Sequence, residues 1–144
     1  MTTIERTVST TTSPEVVFPY LADFRNAPEW DPATRSCERV SGDGGPGTVY
    51  RTLSEFAGTE VELHYTVESV EEPRRFVVVG RNDSTTSHDT ITVSARPERG
   101  STVVYRAEFA FTGVTKLATP IMKPLLDRLG DRTAEQLKSA LDRL

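Results

Sequence analysis

The sequence predicts an α+β domain in which a curved antiparallel sheet of about seven strands wraps around one long C-terminal helix, with two short helices after the first strand. Three observations predict it. Pro120–Leu144 is the only long stretch with a sustained helical period: Ile121, Met122, Leu125, Leu126, Leu129, Leu137, Leu141 and Leu144 fall mostly at three- and four-residue steps. Lys123, Asp127, Arg128, Arg132, Glu135, Lys138 and Asp142 fill the opposite side. Most of the chain before it reads as strands separated by tight turns, and strands so connected pair antiparallel. A helix with an apolar stripe must bury it, and the available partner is the sheet.

The elements follow in order. Thr2–Thr12 is β-rich and alternates Ile4, Arg6 and Val8 with Glu5, Thr7 and Ser9, which marks a strand. Ser13-Pro14-Glu15 is a helix start: an N-cap, a proline at the first helical position and an acid in the first turn. Val16, Val17, Tyr20, Leu21 and Phe24 give that helix an apolar face, and Pro19 keeps it short. Phe24–Asp31 is a second short turn or helix, interrupted by Pro28 and ended by Pro32. Strands follow at Thr34–Val40, Thr48–Phe56, Thr59–Val70, Arg74–Arg81, Thr85–Ala95 and Ser101–Phe111. Thr112–Thr119 leads into the long helix. That helix holds Pro120 and Pro124 near its start, Gly130 in its middle and capping-box spacing from Thr133 to Gln136, so a break near Gly130–Arg132 is expected. Two parts result: Leu137–Leu144 as the anchored core half, Pro120–Leu129 as a looser half able to cover a cavity.

A chain of 144 residues suits a single domain spanning 1–144. Its net charge of −4, with basic residues scattered, gives no electrostatic reason to expect nucleic acid or an anionic membrane as partner. One cysteine, Cys37, makes neither an internal disulfide nor a cysteine-rich zinc site. Neither histidine, His64 or His88, has metal-ligand company, so no metal or cofactor is expected. The N-terminus lacks the apolar core of a signal peptide, and no apolar run reaches the roughly 20 residues of a membrane helix. These features predict a soluble, cytoplasmic protein without stable membrane insertion. The oligomeric state is not readable.

Gly42–Gly47 matches G-x-G-x-x-G, but a strand follows it where a phosphate-binding loop needs a helix, so it is a turn. No serine stands in a nucleophile-elbow context, and no Cys-His arrangement is visible.

The order strand, two short helices, meander, long helix resembles the START/Bet v 1-like helix-grip fold, over essentially the whole chain. Within it the sequence is most similar to the polyketide cyclase/dehydrase branch of the SRPBCC superfamily. The residues that carry the resemblance are Ser13–Asp23 after the opening strand and the run from Asn26 to Trp30-Asp31-Pro32. To these add Gly45–Tyr50, Val67–Gly80 with its Pro-X-Arg turn, and Arg99–Tyr105. The resemblance implies a cavity between the sheet and the C-terminal helix that holds a small hydrophobic or aromatic molecule. It implies no universal catalytic residue.

Strand phase indicates which residues would face such a cavity. If Ala57-Gly58 is a two-residue hairpin turn, Phe56 pairs with Thr59, Ser54 with Val61, Thr52 with Leu63 and Tyr50 with Tyr65. Tyr50, Thr52, Leu63, Tyr65 and Val67 then share the inner face, and Arg51, Glu62, His64 and Glu68 the outer one. In Ser101–Phe111, Val103, Tyr105, Ala107, Phe109 and Phe111 form the apolar face, although the resemblance would instead make Thr102 and Val104 core residues and turn Arg106 and Glu108 inward. For Thr85–Ala95 two registers stand. A four-residue loop turns His88, Thr90 and Thr92 inward; a shift of one residue turns in Asp89, Ile91 and Val93.

The expected lining is therefore Trp30, Tyr50, Thr52, Leu63, Tyr65, His88, Tyr105, Phe109, Met122 and Leu126, Trp30 by resemblance. His88 and Tyr65 are the candidates for proton transfer. The expected activity is binding or carriage of a small hydrophobic or aromatic, polyketide- or lipid-like molecule. The alternatives are a cyclase/dehydratase-type enzyme using cavity Tyr and His groups, and a co-chaperone-like interaction domain using the outer sheet face. An inward acid beside a tyrosine separates enzyme from carrier; an exposed apolar patch outside marks the interaction domain.

Overall fold

The computed structural model describes residues 2–113 and 119–144. Its elements are strand β1 (Thr2–Thr10), helix α1 (Pro14–Ala22), a 3-10 turn (Phe24–Asn26) and helix α2 (Ala27–Trp30). Strands β2 (Thr34–Ser41), β3 (Val49–Phe56), β4 (Thr59–Glu71), β5 (Arg75–Arg81), β6 (Thr85–Ala95) and β7 (Ser101–Phe111) follow, then helix α3 (Thr119–Asp142). The sheet is antiparallel with seven strands in the order β1-β7-β6-β5-β4-β3-β2. It is the helix-grip arrangement, with α3 across the concave face.

The β3–β4 hairpin turns on Ala57 and Gly58, both at positive φ, which gives the two-residue turn and the pairs Tyr50–Tyr65, Thr52–Leu63, Ser54–Val61 and Phe56–Thr59. The β6–β7 pair takes the other of the two registers: Tyr105 opposes Ile91, and Ala107 opposes Asp89. Ser87, Asp89, Ile91 and Val93 are buried, whereas His88, Thr90 and Thr92 lie on the outer side. Burying two β-branched side chains outweighs the simpler loop. In β7, Val103, Tyr105 and Ala107 are the buried set, and Arg106 pairs outside with Glu5 and Glu108.

The central β5 is buried on both faces. Phe76 and Val78 point to the core; Val77 and Val79 are covered as well, beside outer-face neighbours such as Thr90 and His88. The rest of the outer face is charged, with Arg51 between Glu38 and Glu62. The exposed large apolar residues are Val16, Val40, Ile121, Leu125 and Leu144, none of them on β4 to β7. The outer sheet face of the described residues thus lacks the apolar patch an interaction domain would present there.

α3 runs unbroken through Gly130, against the expected interruption. The glycine sits at a close approach of helix and sheet: a Cβ there would meet Ile4 Cγ2 at 2.6 Å and Arg6 Nη2 at 3.0 Å. Arg6 also donates to Asp131 Oδ1 at 2.9 Å and to the Asp127 carbonyl at 3.0 Å. The C-terminal half is pinned to β1: Thr10 donates to Asp142 Oδ1 at 2.7 Å, and Lys138 to the Ser9 carbonyl at 2.9 Å. Leu137, Ala140 and Leu141 enter the core, but Leu144 and, on α1, Val16 remain exposed. Residues 114–118, which fall in the connection expected before the helix, lie outside the described residues. No described helix is long and apolar enough to cross a membrane.

Candidate ligand cavity

A cavity of about 120 Å³ lies between the concave face and the N-terminal half of α3. The helix contributes Met122, Leu126, Leu129, Gly130 and Thr133. Strand residues facing it include Ile4, Phe56, Leu63, Tyr65, Ser87, Tyr105, Phe109 and Phe111. Asp31, Ala33 and Thr34, in and after the turn that follows α2, close one side. The rings of Phe109 and Phe111 stack in parallel with centroids 6.2 Å apart. The wall is mainly apolar, with a set of hydroxyls and carboxyls gathered at one place.

That polar group has a local origin. Tyr65 on β4 opposes Gly80 on β5, and its ring covers the space a side chain would take: a Cβ on Gly80 would come 2.5 Å from the ring. Glycine here is a condition for the tyrosine's position. Tyr105 on β7 lies diagonal to Asp89 on β6, on the same face, with its hydroxyl 3.4 Å from Asp89 Oδ2. Ser87, two residues from Asp89 and so also inward, donates to Asp89 Oδ1 at 2.6 Å. Asp31 accepts the Ala33 N–H at 3.0 Å and the Thr34 hydroxyl at 2.9 Å, so the turn at Pro32 aims its carboxyl at the cavity.

Burial sets the electrostatics. Asp89 is buried, and loss of solvation pushes its carboxyl up to about 7; the negative charge of Asp31 adds to this, while hydrogen bonds from Ser87 and Tyr105 oppose it. Burial likewise raises Asp31, against the donors at Ala33 and Thr34. Tyr65 and Tyr105 are held well above the usual phenol range, first by burial and then by the charge of Asp89. Both remain proton donors at any physiological pH. The Cys37 thiol is pushed up to about 12 by burial and does not line the cavity, so it offers no thiolate nucleophile there.

Of the residues expected to line a cavity, Leu63, Tyr65, Tyr105, Phe109, Met122 and Leu126 do so. Four do not. Trp30 is buried behind the wall, its ring edge-on to Tyr105 and Phe24. Tyr50 points inward but is fully buried against Phe24. Thr52 is buried and donates to the Leu63 carbonyl at 3.4 Å. His88 lies on the outer face, 3.7 Å from Glu68, because Asp89 takes the inward place. Sequence reasoning missed Asp31, Asp89 and Ser87 as site residues. The signal for two of them was present: the register that buries Ile91 and Val93 also turns Ser87 and Asp89 inward. For Asp31 it was the Asp-Pro turn. No group of three or more metal-ligating side chains occurs among the described residues.

The sequence model of the family described as polyketide cyclase / dehydrase and lipid transport matches residues 1–142. The chain belongs to that family. Its three-dimensional neighbours agree in fold. A START superfamily protein from Mycobacterium smegmatis superposes with a TM-score of 0.79 at 17% identity, covering 98% of this chain and 97% of that one. The Zhui aromatase/cyclase from Streptomyces sp. R1128 gives 0.81 at 14% identity, covering 98% and 93%. The protein TTHA0849 from Thermus thermophilus gives 0.71 at 18%, covering 96% and 98%. No curated protein sequence matches the chain. Membership in this cyclase/dehydrase and lipid transport family supports a ligand-binding or cyclase role for the cavity.

Proposed function

We propose that the protein binds a compact hydrophobic or aromatic carbonyl compound in this cavity and carries out cyclase/dehydratase-type acid–base chemistry on it. The observation behind this reading is the buried Asp89 carboxyl, near neutrality in affinity for its proton, joined to the Ser87 and Tyr105 hydroxyls of the cavity wall. A carrier has no need of a buried acid beside a tyrosine, and leaving one there costs stability.

Volume limits the substrate. About 120 Å³ is close to the size of cavities that take up a single benzene-like ring. A short diketone folded on itself suits it better than an extended chain. Asp31, on the wall, is the base that removes a proton from the carbon beside a carbonyl. Tyr105 and Tyr65 donate to the carbonyl oxygens and stabilise the enolate and then the alkoxide. Asp89, behind Tyr105, replaces the proton Tyr105 gives up. Carbon–carbon closure follows. Loss of water then breaks a second C–H bond at the carbon that Asp31 first deprotonated, its proton passing through Tyr105 to Asp89. The acid form of Asp31 protonates the departing hydroxyl, so both carboxyls return to their starting states. Apolar walls hold the chain in the folded, reactive geometry.

The test uses heptane-2,6-dione, which closes to 3-methylcyclohex-2-enone with loss of one water, followed by ultraviolet absorbance. Acceleration over buffer that is lost in Asp31→Asn and Tyr105→Phe supports the enzyme. Saturable binding of the diketone with no acceleration leaves the carrier reading, which the mainly apolar wall favours.

A further inference from the structure

A second concavity of about 300 Å³ adjoins the first at the N-terminal half of α3 and the tip of the β3–β4 hairpin. The two share Ala33, Phe56 and Leu129 in their walls, so a molecule seated in the apolar cavity has this concavity as its neighbour. Its chemistry is opposite. Arg35, Arg128 and Arg132 line it, against one acid, Glu55. Glu55 is already taken: its Oε2 lies 2.8 Å from Arg35 Nη2. Arg128 and Arg132 have no carboxylate partner among the described residues, although the chain as a whole carries a net charge of −4.

The two arginines are four residues apart on one helix, which places like charges on neighbouring turns and disfavours the helix slightly. The two nearest acids on α3 are paired elsewhere: Asp131 with Arg6, and Asp127 with Lys123. Paired guanidinium forks at the rim of an apolar cavity are suited to an anionic oxygen group, which they grip bidentately.

We infer that the Arg128–Arg132 pair is a subsite for the anionic end, carboxylate or phosphate, of a ligand whose apolar body fills the adjoining cavity. The inference rests on the cavity being a ligand site, as proposed above. The ligand class is thus an amphipathic small anion rather than a neutral hydrocarbon or ketone alone. Arg35 assists at the far wall but is half-neutralised by Glu55. Because the site is open to solvent, its attraction weakens with salt.

Isothermal titration calorimetry at low ionic strength tests this with three probes of one shape: phenylacetate, phenyl phosphate and neutral phenylacetamide. The expected result is about tenfold tighter binding of at least one anion than of the amide. The Arg128→Gln/Arg132→Gln double variant removes that preference and leaves amide affinity within about twofold. Glu55→Gln, which deletes the only acid of the subsite, tightens anion binding by about two- to fivefold. Preference for phenylacetate over phenyl phosphate, or the reverse, assigns the anionic group. Equal affinity for anions and amide in the wild type, or a preference that survives the double variant, overturns the subsite while the cavity reading stands. No binding of any probe overturns both.

Discussion

The Tyr105 hydroxyl lies 3.4 Å from Asp89 Oδ2, on the same carboxyl whose other oxygen takes the Ser87 hydroxyl at 2.6 Å. Two hydroxyls of the cavity wall are therefore backed by one buried acid. This relationship depends on register. A slip of one residue between β6 and β7 would move Asp89 to solvent and bring His88 in.

Asp89 predicts a pH dependence of stability. In the unfolded chain it titrates near 3.8; in the folded chain burial raises this to about 7. Between those values the folded state holds a proton that the unfolded state has released, so stability is greatest at low pH and falls as pH rises through about 7. The fall is on the order of 4 kcal/mol at most. Asp31, also raised, acts in the same direction; Asp23 and Asp142, lowered by their partners, act in the opposite one. Asp89→Asn isolates the contribution. The gain in melting temperature from this substitution should be small at pH 4.5 and grow to several degrees at pH 8. A gain that does not change with pH would show that Asp89 is not a buried acid.

Gly130 offers a case where two effects compete. In an exposed helix interior, glycine to alanine gains about 1 kcal/mol. Here the new methyl would meet Ile4 Cγ2 at 2.6 Å. Overpacking of this kind costs about 1–3 kcal/mol, so Gly130→Ala should be destabilising on balance. Urea denaturation reads the difference. Ile4→Ala, which removes Cγ2, should leave a smaller penalty for Gly130→Ala than the substitution carries in the wild type.

His88→Ala should leave stability within about 0.5 kcal/mol and ligand affinity within about twofold. The side chain is on the outer face, and its buried Nδ1 has no hydrogen-bond partner to lose. A large loss of binding would place His88 at the ligand after all.

Much of the fold was legible because local rules agreed with one another. The pairing of β3 with β4 rested on a two-residue turn at Ala57-Gly58, which the chain adopts, and in β7 the apolar alternation of Val103, Tyr105 and Ala107 prevailed over the phase implied by resemblance. The stripe on α3 announced that Leu137 and Leu141 enter the core and that Met122, Leu126 and Leu129 face the cavity, although Ile121, Leu125 and Leu144 of the same stripe are exposed. The candidate site was less legible, for a physical reason. Its acids are inward residues on strands whose pattern marks burial but not purpose, and Asp89 looks like an outward residue until its register is known. His88 drew attention through its residue type and through the four-residue-loop register, which the structure does not take. Gly130 looked like a weak point because a helix pattern records conformational cost, whereas the close approach of β1 is a tertiary fact. Tyr50 and Thr52 were assigned to the correct side of the sheet and Trp30 to the cavity by resemblance, but neither side nor resemblance is lining: Phe24 packs against both aromatics, and all three are buried away from the cavity.

The acid–base chemistry proposed for the cavity is tested most directly by the rate of heptane-2,6-dione closure in wild type, Asp89→Asn and Tyr105→Phe, measured beside diketone affinity by calorimetry. The expected result is acceleration by the wild type, a fall of about a hundredfold or more in the turnover rate of both variants, and affinity within about threefold of wild type. Variants that bind and turn over as the wild type does would contradict it.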